Sequence, residues 1–486
     1  MAKSPSSDQR LRQWGDFQTP AELAHEICRY LFSVGCRPRI VVEPTCGEGQ
    51  FIRAAGRCFP EAQRVYGLEI QAAYVARARQ VAGEEPFSAE MEIHQGDFFQ
   101  HVFPDWIAQD TSGEILVLGN PPWVTNAELT TLDSTNLPAK TNVKQHAGLA
   151  ALTGKSNFDI SEAIIMKLLA TFGRHRGYLA LLCKNAVIRT LLEDLPRQNA
   201  AVADIRAISI DAARHFGATV DASLLFLRLG AQAPEYTCTV YGSLANPVRQ
   251  SAFGWTGEKF VADLGVYSRW RYLDGVSPFT WRQGLKHDCA RVMELTGDAG
   301  RYRNGLGEEV DLEPDSVYPL LKSSDLQATK EPRLRVPVTQ HKIGEDTAWI
   351  EHRFPKLWGY LQRHRAAFDA RRSSIYRGKS PYAIFGIGEY SFAPHKVAVS
   401  GMYKAATFRL VEPVNGQPVM LDDTCYFLGF DSYDQAAATC AALSSEPAQG
   451  FLQSVVFRDA KRPYTKDVLM RLDLTKVAID GLPPPG

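Results

Sequence analysis

RIVVEPTCGEGQF (residues 39–51) sets an apolar, β-branched run directly against a turn that carries two glycines. The run reads as a buried strand. Gly47 and Gly49 let the backbone turn tightly and approach a ligand with no Cβ in the way, and the helix that follows offers free N–H groups at its start. Similar runs recur at RVYGLEI (64–70), MEIHQ (91–95), EILVLG (114–119), GYLALLC (177–183), IRAISI (205–210) and ASLLFLRL (222–229), with helical patterns filling most of the gaps. The alternation predicts an α/β fold: an open, largely parallel, doubly wound sheet with helices on both faces. Ligands of such sheets bind beyond the carboxyl ends of the strands. The last two runs are joined by a connection too short for a parallel crossover, so they are expected to pair antiparallel.

The residues at those strand ends form a series. Glu69 closes the second strand, 22 residues after Gly47, where a carboxylate can accept from both hydroxyls of a ribose. GDFF (96–99) follows the third: Asp97 can accept from an exocyclic amine and Phe98 can cover a purine face. GNPPW (119–123) closes the fourth. Each residue has an ordinary alternative, Glu69 as a solvated strand end, Asp97 as a turn residue and Phe98 as core.

Composition bounds the remaining choices. The chain has 486 residues, 45% hydrophobic and 22% charged, which suits a globular protein of two or three domains. Its longest apolar stretches, YLALLC (178–183) and SLLFL (223–227), fall far short of the roughly 20 residues of a membrane helix. The polar N-terminus MAKSPSSDQR lacks a secretory pattern, so a cytoplasmic location is expected, with no membrane. Nine scattered cysteines without a CxxC pair indicate neither a disulfide framework nor a metal site. Formal net charge is zero but unevenly spread: residues 1–150 hold 13 Lys/Arg against 18 Asp/Glu, residues 331–410 hold 14 against 6. Within the basic part, HRFPKLWGYLQRHRAAFDARRSSIYRGKS (352–380) mixes Arg371, Arg372 and other cations with Trp358, Tyr360 and Tyr376. Phosphate-tracking surfaces use that mixture, and so does a solvated helix face.

The set EPTCGEG, GLEI, GDFF and GNPPW resembles the N6-adenine DNA methyltransferases, and GDFQTP (15–20), placed before the glycine turn, marks the gamma class, similar to the methylase part of type II and IIG restriction-modification enzymes. Local physics also reads Thr19 as an N-cap, Pro20 as the first helical residue and Glu22 as its capping-box partner. The resemblance implies a Rossmann-like S-adenosylmethionine-dependent methyltransferase sheet with an antiparallel last strand (1–240), followed by an α+β target-recognition domain (241–486). It implies that Phe17, Thr19, Pro20, Glu43, Pro44, Gly47, Gly49, Glu69, Ile70, Asp97 and Phe98 hold S-adenosylmethionine. The catalytic set it implies is Asn120, Pro121, Pro122 and Trp123, with Phe216 touching the flipped base. Duplex DNA is the implied partner, beside a separate restriction endonuclease or defence-system subunits.

The NPPW stretch fits that chemistry. An adenine amine is a poor nucleophile, because its lone pair is delocalised into the ring. If Asn120 Oδ1 and the Pro121 carbonyl each accept one N–H, the nitrogen becomes more tetrahedral and can attack a sulfonium methyl. Prolines fix φ and remove donors, and Trp123 stacks on the extruded base. A cytosine C5 enzyme would need a Pro-Cys nucleophile here. Cytosine N4 enzymes resemble this layout with Ser in place of Asn120. Protein glutamine or RNA methylation on the same motif remains an alternative, as does an inactive DNA-binding subunit. In the C-terminal half, WRQGLKHDCARVMEL (281–295) and VYPLLKSSDL (317–326) are similar to target-recognition segments, which brings Lys286 toward DNA. The polar stretch 124–155, with Lys140, Lys144 and Lys155, reads either as a loop that orders over DNA or the flipped base or as a floppy insertion. No PD…(D/E)xK nuclease pattern occurs.

Overall fold

The computed structural model of the chain describes residues 17–84, 87–109, 113–124 and 159–477. Gly15 and Asp16 of GDFQTP, residues 125–158 with Lys140, Lys144 and Lys155, and the N-terminal MAKSPSSDQR lie outside the described residues. The chain forms two compact units, 1–264 and 265–486.

Unit 1 follows the expected alternation: α1 (Ala21–Ser33), β1 (Pro38–Glu43), α2 (Gln50–Cys58), β2 (Arg64–Glu69), α3 (Ala72–Gly83), β3 (Glu90–Gln95), α4 (Asp105–Gln109), β4 (Glu114–Gly119), α5 (Ile160–Phe172), β5 (Gly177–Lys184), α6 (Asn185–Asp194), β6 (Val202–Ile210), α7 (Ala212–Phe216) and β7 (Ala222–Leu229). Three further strands, β8 (Thr237–Tyr241), β9 (Arg249–Thr256) and β10 (Lys259–Val261), extend the same sheet, whose order is β10-β9-β8-β6-β7-β5-β4-β1-β2-β3. The unit boundary therefore falls beyond the expected 240, because TCTVY (237–241) pairs in parallel with β6 rather than opening a new domain. β1 to β5 are mutually parallel, and β7 inserts antiparallel between β5 and β6.

Both faces of the central strands are covered, which is why they read as continuous apolar runs. Val42, Leu68 and Val117 face one core with Ile164 and Ile165 of α5. Val41, Leu116 and Leu118 face the other with Leu23 and Ile27 of α1 and Phe51 of α2. The strand order reverses between β1 and β4, so the carboxyl ends of β1, β2 and β4 open at the topological switch point.

The expected capping box is not formed. Helix α1 begins at Ala21, with Pro20 at the cap position in extended conformation (ψ 140°) and no side-chain cap. The Pro20 carbonyl accepts the first helical bond from Ala24 N at 3.0 Å. With Pro20 still extended, Thr19 lies one residue too early to cap, and it lines the cleft described below.

Unit 2 is α+β. A four-stranded sheet orders Arg282–Gln283, Cys425–Phe430, His395–Ser400 and Phe408–Val411. Val317–Leu321, the VYPLL segment, lies between Leu334–Pro337 and Met420–Leu421 in a three-stranded sheet. The 352–380 stretch folds into helices Pro355–Arg363 and Arg365–Asp369, whose Leu357, Tyr360, Leu361 and Phe368 join the core. No helix among the described residues is long and apolar enough to cross a membrane.

Candidate active site

The ends of β1, β2 and β4, with the turn after β3, surround one cleft of about 880 Å3, open solvent included. Of the residues expected to hold a cofactor, Phe17, Thr19, Glu43, Pro44, Gly47, Glu69, Ile70, Asp97 and Phe98 line it; Pro20 and Gly49 do not. Asn120 and Pro122 line it from the catalytic set. Sequence reasoning missed Gln18, Thr45, Tyr74 and Phe99, and also Ile160 and Ile164, which α5 brings in from across the 125–158 stretch.

The glycine turn is held by acceptors on both sides. Glu69 Oε2 accepts from Gly47 N at 3.0 Å and Oε1 accepts from Gln71 N at 2.8 Å. Gln18 Oε1 accepts from Glu48 N at 3.1 Å, so the N-terminal segment clamps the turn. Gly47 has φ +49°, and a Cβ there would lie 2.5 Å from Gln18 Oε1. Gly49 has φ +82°, and its Cβ would lie 2.9 Å from Ala78 Cβ and 3.0 Å from Ala78 Cα. Gly49 therefore serves the approach of α2 to α3, and Gly47 the turn that faces the ligand.

The GDFF turn keeps part of its ordinary role. Asp97 Oδ1 accepts from Phe99 N at 2.9 Å and Oδ2 from Gln100 Nε2 at 2.9 Å, as a turn residue does. Lys167 of α5 donates to the carbonyls of Phe98, Phe99 and His101 at 2.7, 2.9 and 3.0 Å, which fixes the turn from behind. Phe98 is buried in the core while lining the cleft.

Among the described residues, three buried polar atoms at the cleft have no partner: Glu43 Oε2, Thr45 Oγ1 and Asn120 Oδ1. Such atoms are costly unless a ligand satisfies them. Asn120 Nδ2 donates to the Phe17 carbonyl at 2.9 Å. Because that partner is an acceptor, the amide must turn its nitrogen toward Phe17 and its oxygen the other way. Burial pushes the Glu43 carboxyl well above the usual glutamate range, and the neighbouring Glu69 charge adds to the rise. No lysine or arginine is among the described residues that line the cleft. Three carboxyls, those of Glu43, Glu69 and Asp97, without a cation disfavour a phosphate and suit a ligand that is itself positive, as the sulfonium and ammonium groups of S-adenosylmethionine are. The residues fit that cofactor.

Beyond Asn120 lies an aromatic trio. Trp123 has its ring centroid 5.6 Å from Phe17 and 5.1 Å from Phe216, and Phe17 lies 6.1 Å from Phe216. Trp123 is only 3% exposed, and its Nε1 donates to the Leu182 carbonyl at 3.3 Å. The ring expected as an open stacking platform is thus covered by its two aromatic neighbours.

In unit 2 part of the basic excess is engaged internally. The Arg371 guanidinium donates to the carbonyls of Phe368, Ala383 and Pro381 at 3.0, 2.7 and 2.8 Å and lies 3.7 Å over Tyr376. Lys356 pairs with Asp311, Arg365 with Asp369, and Lys396 is buried. Lys286, expected near DNA, pairs with Asp288 at 3.2 Å and Asp423 at 3.9 Å. Arg372, Arg377 and Lys379 remain exposed. Among the described residues no cluster of His, Cys, Asp and Glu could hold a metal ion.

Comparison with known proteins places this architecture. No family model matches the chain. It is 40% identical over 474 residues to the type II methyltransferase M.NspV of Nostoc sp., covering 96% of this chain and 97% of that protein. The solved structure of the type IIL restriction-modification enzyme MmeI in complex with DNA shares the fold, with a TM-score of 0.58 at 12% identity over 95% of this chain and 68% of its own. At that identity over nearly the full length, the chain belongs to the type II methyltransferases, S-adenosylmethionine-dependent DNA methyltransferases of restriction-modification.

Proposed function

We propose that the enzyme methylates the exocyclic N6 of adenine in duplex DNA, on a base turned out of the helix. The observation that carries this reading is the buried Oδ1 of Asn120, without a partner among the described residues and held in one orientation by the bond from Nδ2 to the Phe17 carbonyl. An acceptor so placed takes one N–H of an amine. The Pro121 carbonyl takes the other, with Pro121 and Pro122 restricting the backbone that carries it. Together they favour the tetrahedral amine, and the preorganisation of such acceptors is where catalysis of this kind gains most. S-adenosylmethionine supplies the electrophilic methyl group when bound.

Nine cleft-lining residues hold the cofactor: Phe17, Thr19, Glu43, Pro44, Gly47, Glu69, Ile70, Asp97 and Phe98. Pro20 and Gly49 shape the backbone on either side. Trp123 and Phe216 receive the base. Carbon layers pack about 3.5–4.0 Å apart, so a ring between them needs faces about 7 Å apart, and the 5.1 Å pair must part when the base enters. Extruding the base costs a few kcal/mol, part of which aromatic stacking returns. Unit 2 reads the target sequence, with Arg372, Arg377 and Lys379 on phosphates. The enzyme works in the cytoplasm beside a separate restriction endonuclease or defence-system subunits.

Asn120→Ala tests the assignment. The single-turnover methylation rate should drop at least ~10²-fold, the scale for removing one preorganised polar group, with S-adenosylmethionine and DNA still bound. A variant that loses cofactor binding in step with activity would remove Asn120 from the chemistry.

A further inference from the structure

We propose that Lys184 is a positioning residue for the NPPW turn and sets the rate of methyl transfer without touching cofactor or base. Its ammonium lies at the end of β5 and donates to the Trp123 carbonyl at 2.9 Å and to Asp159 Oδ2 at 2.8 Å. Asp159 is 8% exposed, and its other oxygen accepts from Ser161 N at 3.0 Å and Ser161 Oγ at 2.6 Å, so the carboxylate that anchors the lysine is itself fixed.

The consequence follows from where these bonds fall. Asn120 is tied at one end of the turn through Phe17. Three residues later the chain is tied to β5 twice, by the indole N–H on the Leu182 carbonyl and by Lys184 on the Trp123 carbonyl. Between these ties stand two prolines with restricted φ. The Asn120 amide and the Pro121 carbonyl thus sit on a segment clamped at both ends, and Lys184 is its only charged tie among the described residues. The same ammonium also joins the two sides of the 125–158 stretch, since Ile160 N donates to the Val124 carbonyl at 2.9 Å beside it. Lys184 does not line the cofactor cleft. Displacing reacting groups by about 1 Å is enough to cost about 10²-fold in rate.

The inference rests on the adenine N6 reading. The test compares wild type, Lys184→Met and Lys184→Arg on unmethylated plasmid DNA, with enzyme in excess and radiolabelled S-adenosylmethionine. Lys184→Met should lower the single-turnover rate by up to about 10²-fold while cofactor affinity stays within about twofold, and Lys184→Arg, which keeps a charged donor, should recover most of the rate. A purely structural role would move affinity and rate together and overturn the inference, as would a wild-type rate in Lys184→Met. If that variant does not fold, Lys184→Gln takes its place: a folded, slow, cofactor-binding Lys184→Gln supports the inference, whereas a wild-type rate or a second failure to fold overturns it. Wild-type protein that labels DNA without forming N6-methyladenine would instead refute the adenine reading.

Discussion

Replacing Glu69 should weaken S-adenosylmethionine binding and loosen the glycine turn together, because in the proposed site one carboxylate serves both. Its oxygens accept from Gly47 N and Gln71 N at 3.0 and 2.8 Å, and the residue lines the cleft while 7% exposed. Hydrogen bonds to a charged acceptor contribute about 1.5–3 kcal/mol each. Glu69→Ala removes the ribose acceptor and leaves both backbone N–H groups without it; water entering through the open cleft can replace part of that, so a loss of about 1–3 kcal/mol in cofactor affinity is expected, roughly 5- to 150-fold in Kd. Glu69→Gln offers no escape, since a carboxamide must point its NH2 at one of the two backbone donors. Titration calorimetry of S-adenosylmethionine into both variants, with melting curves to show that they are folded, reads the effect. Unchanged affinity in a folded Glu69→Ala would show that the cofactor does not sit against the second strand.

Glu43 predicts a pH effect. Its folded pKa is raised by burial, so between the unfolded value of about 4.3 and the raised one the folded state holds a proton that the unfolded state releases; stability should fall as pH rises through that window. Glu43→Gln should lose this slope, and parallel melting-temperature profiles for the two proteins would contradict the assignment. A cation in the cleft favours the ionised carboxylate, so cofactor binding should release a proton, seen as a dependence of the binding enthalpy on the buffer. In unit 2, reversing Arg372, Arg377 and Lys379 together should flatten the salt dependence of DNA binding by about 0.9 in the log–log slope for each phosphate no longer neutralised, with cofactor binding untouched. Reversing Arg371 should lower the melting temperature instead, since its guanidinium holds main-chain carbonyls; an altered salt slope with unchanged stability would reverse that distinction.

The parts of the site that could be read from sequence are those set by strand ends. Glu43 and Glu69 each close a strand and Asn120 directly follows one, and parallel strands of a doubly wound sheet end on one side, so adjacency in space follows from order in the chain. What could not be read depended on partners far along the chain. Arg371 sits in a run that looks phosphate-directed, and only the fold shows it turned onto the carbonyls of Pro381 and Ala383. Lys286 pairs with Asp423 at 3.9 Å, over a hundred residues away. Gln18 lies inside GDFQTP, yet nothing in that motif shows that its side chain accepts from Glu48 N. Thr19 satisfies the capping pattern, and the extended Pro20 defeats it. Trp123 was legible as an aromatic beside the catalytic turn but not as one enclosed by Phe17 and Phe216, which come from opposite ends of unit 1. β8 had a signal, the alternating β-branched TCTVY, inside a stretch whose neighbours are polar and rich in turn residues.

The central claim is that Asn120 and the NPPW turn direct a methyl group to N6 of adenine. Purified protein is incubated with unmethylated plasmid DNA and S-adenosylmethionine carrying a deuterated methyl group. The DNA is then digested to nucleosides and resolved by mass spectrometry. The account predicts deuterated N6-methyldeoxyadenosine as the product, reduced at least ~10²-fold in Asn120→Ala. N4-methyldeoxycytidine as the labelled nucleoside would contradict the choice of base, and label found only on protein glutamine would contradict the substrate itself.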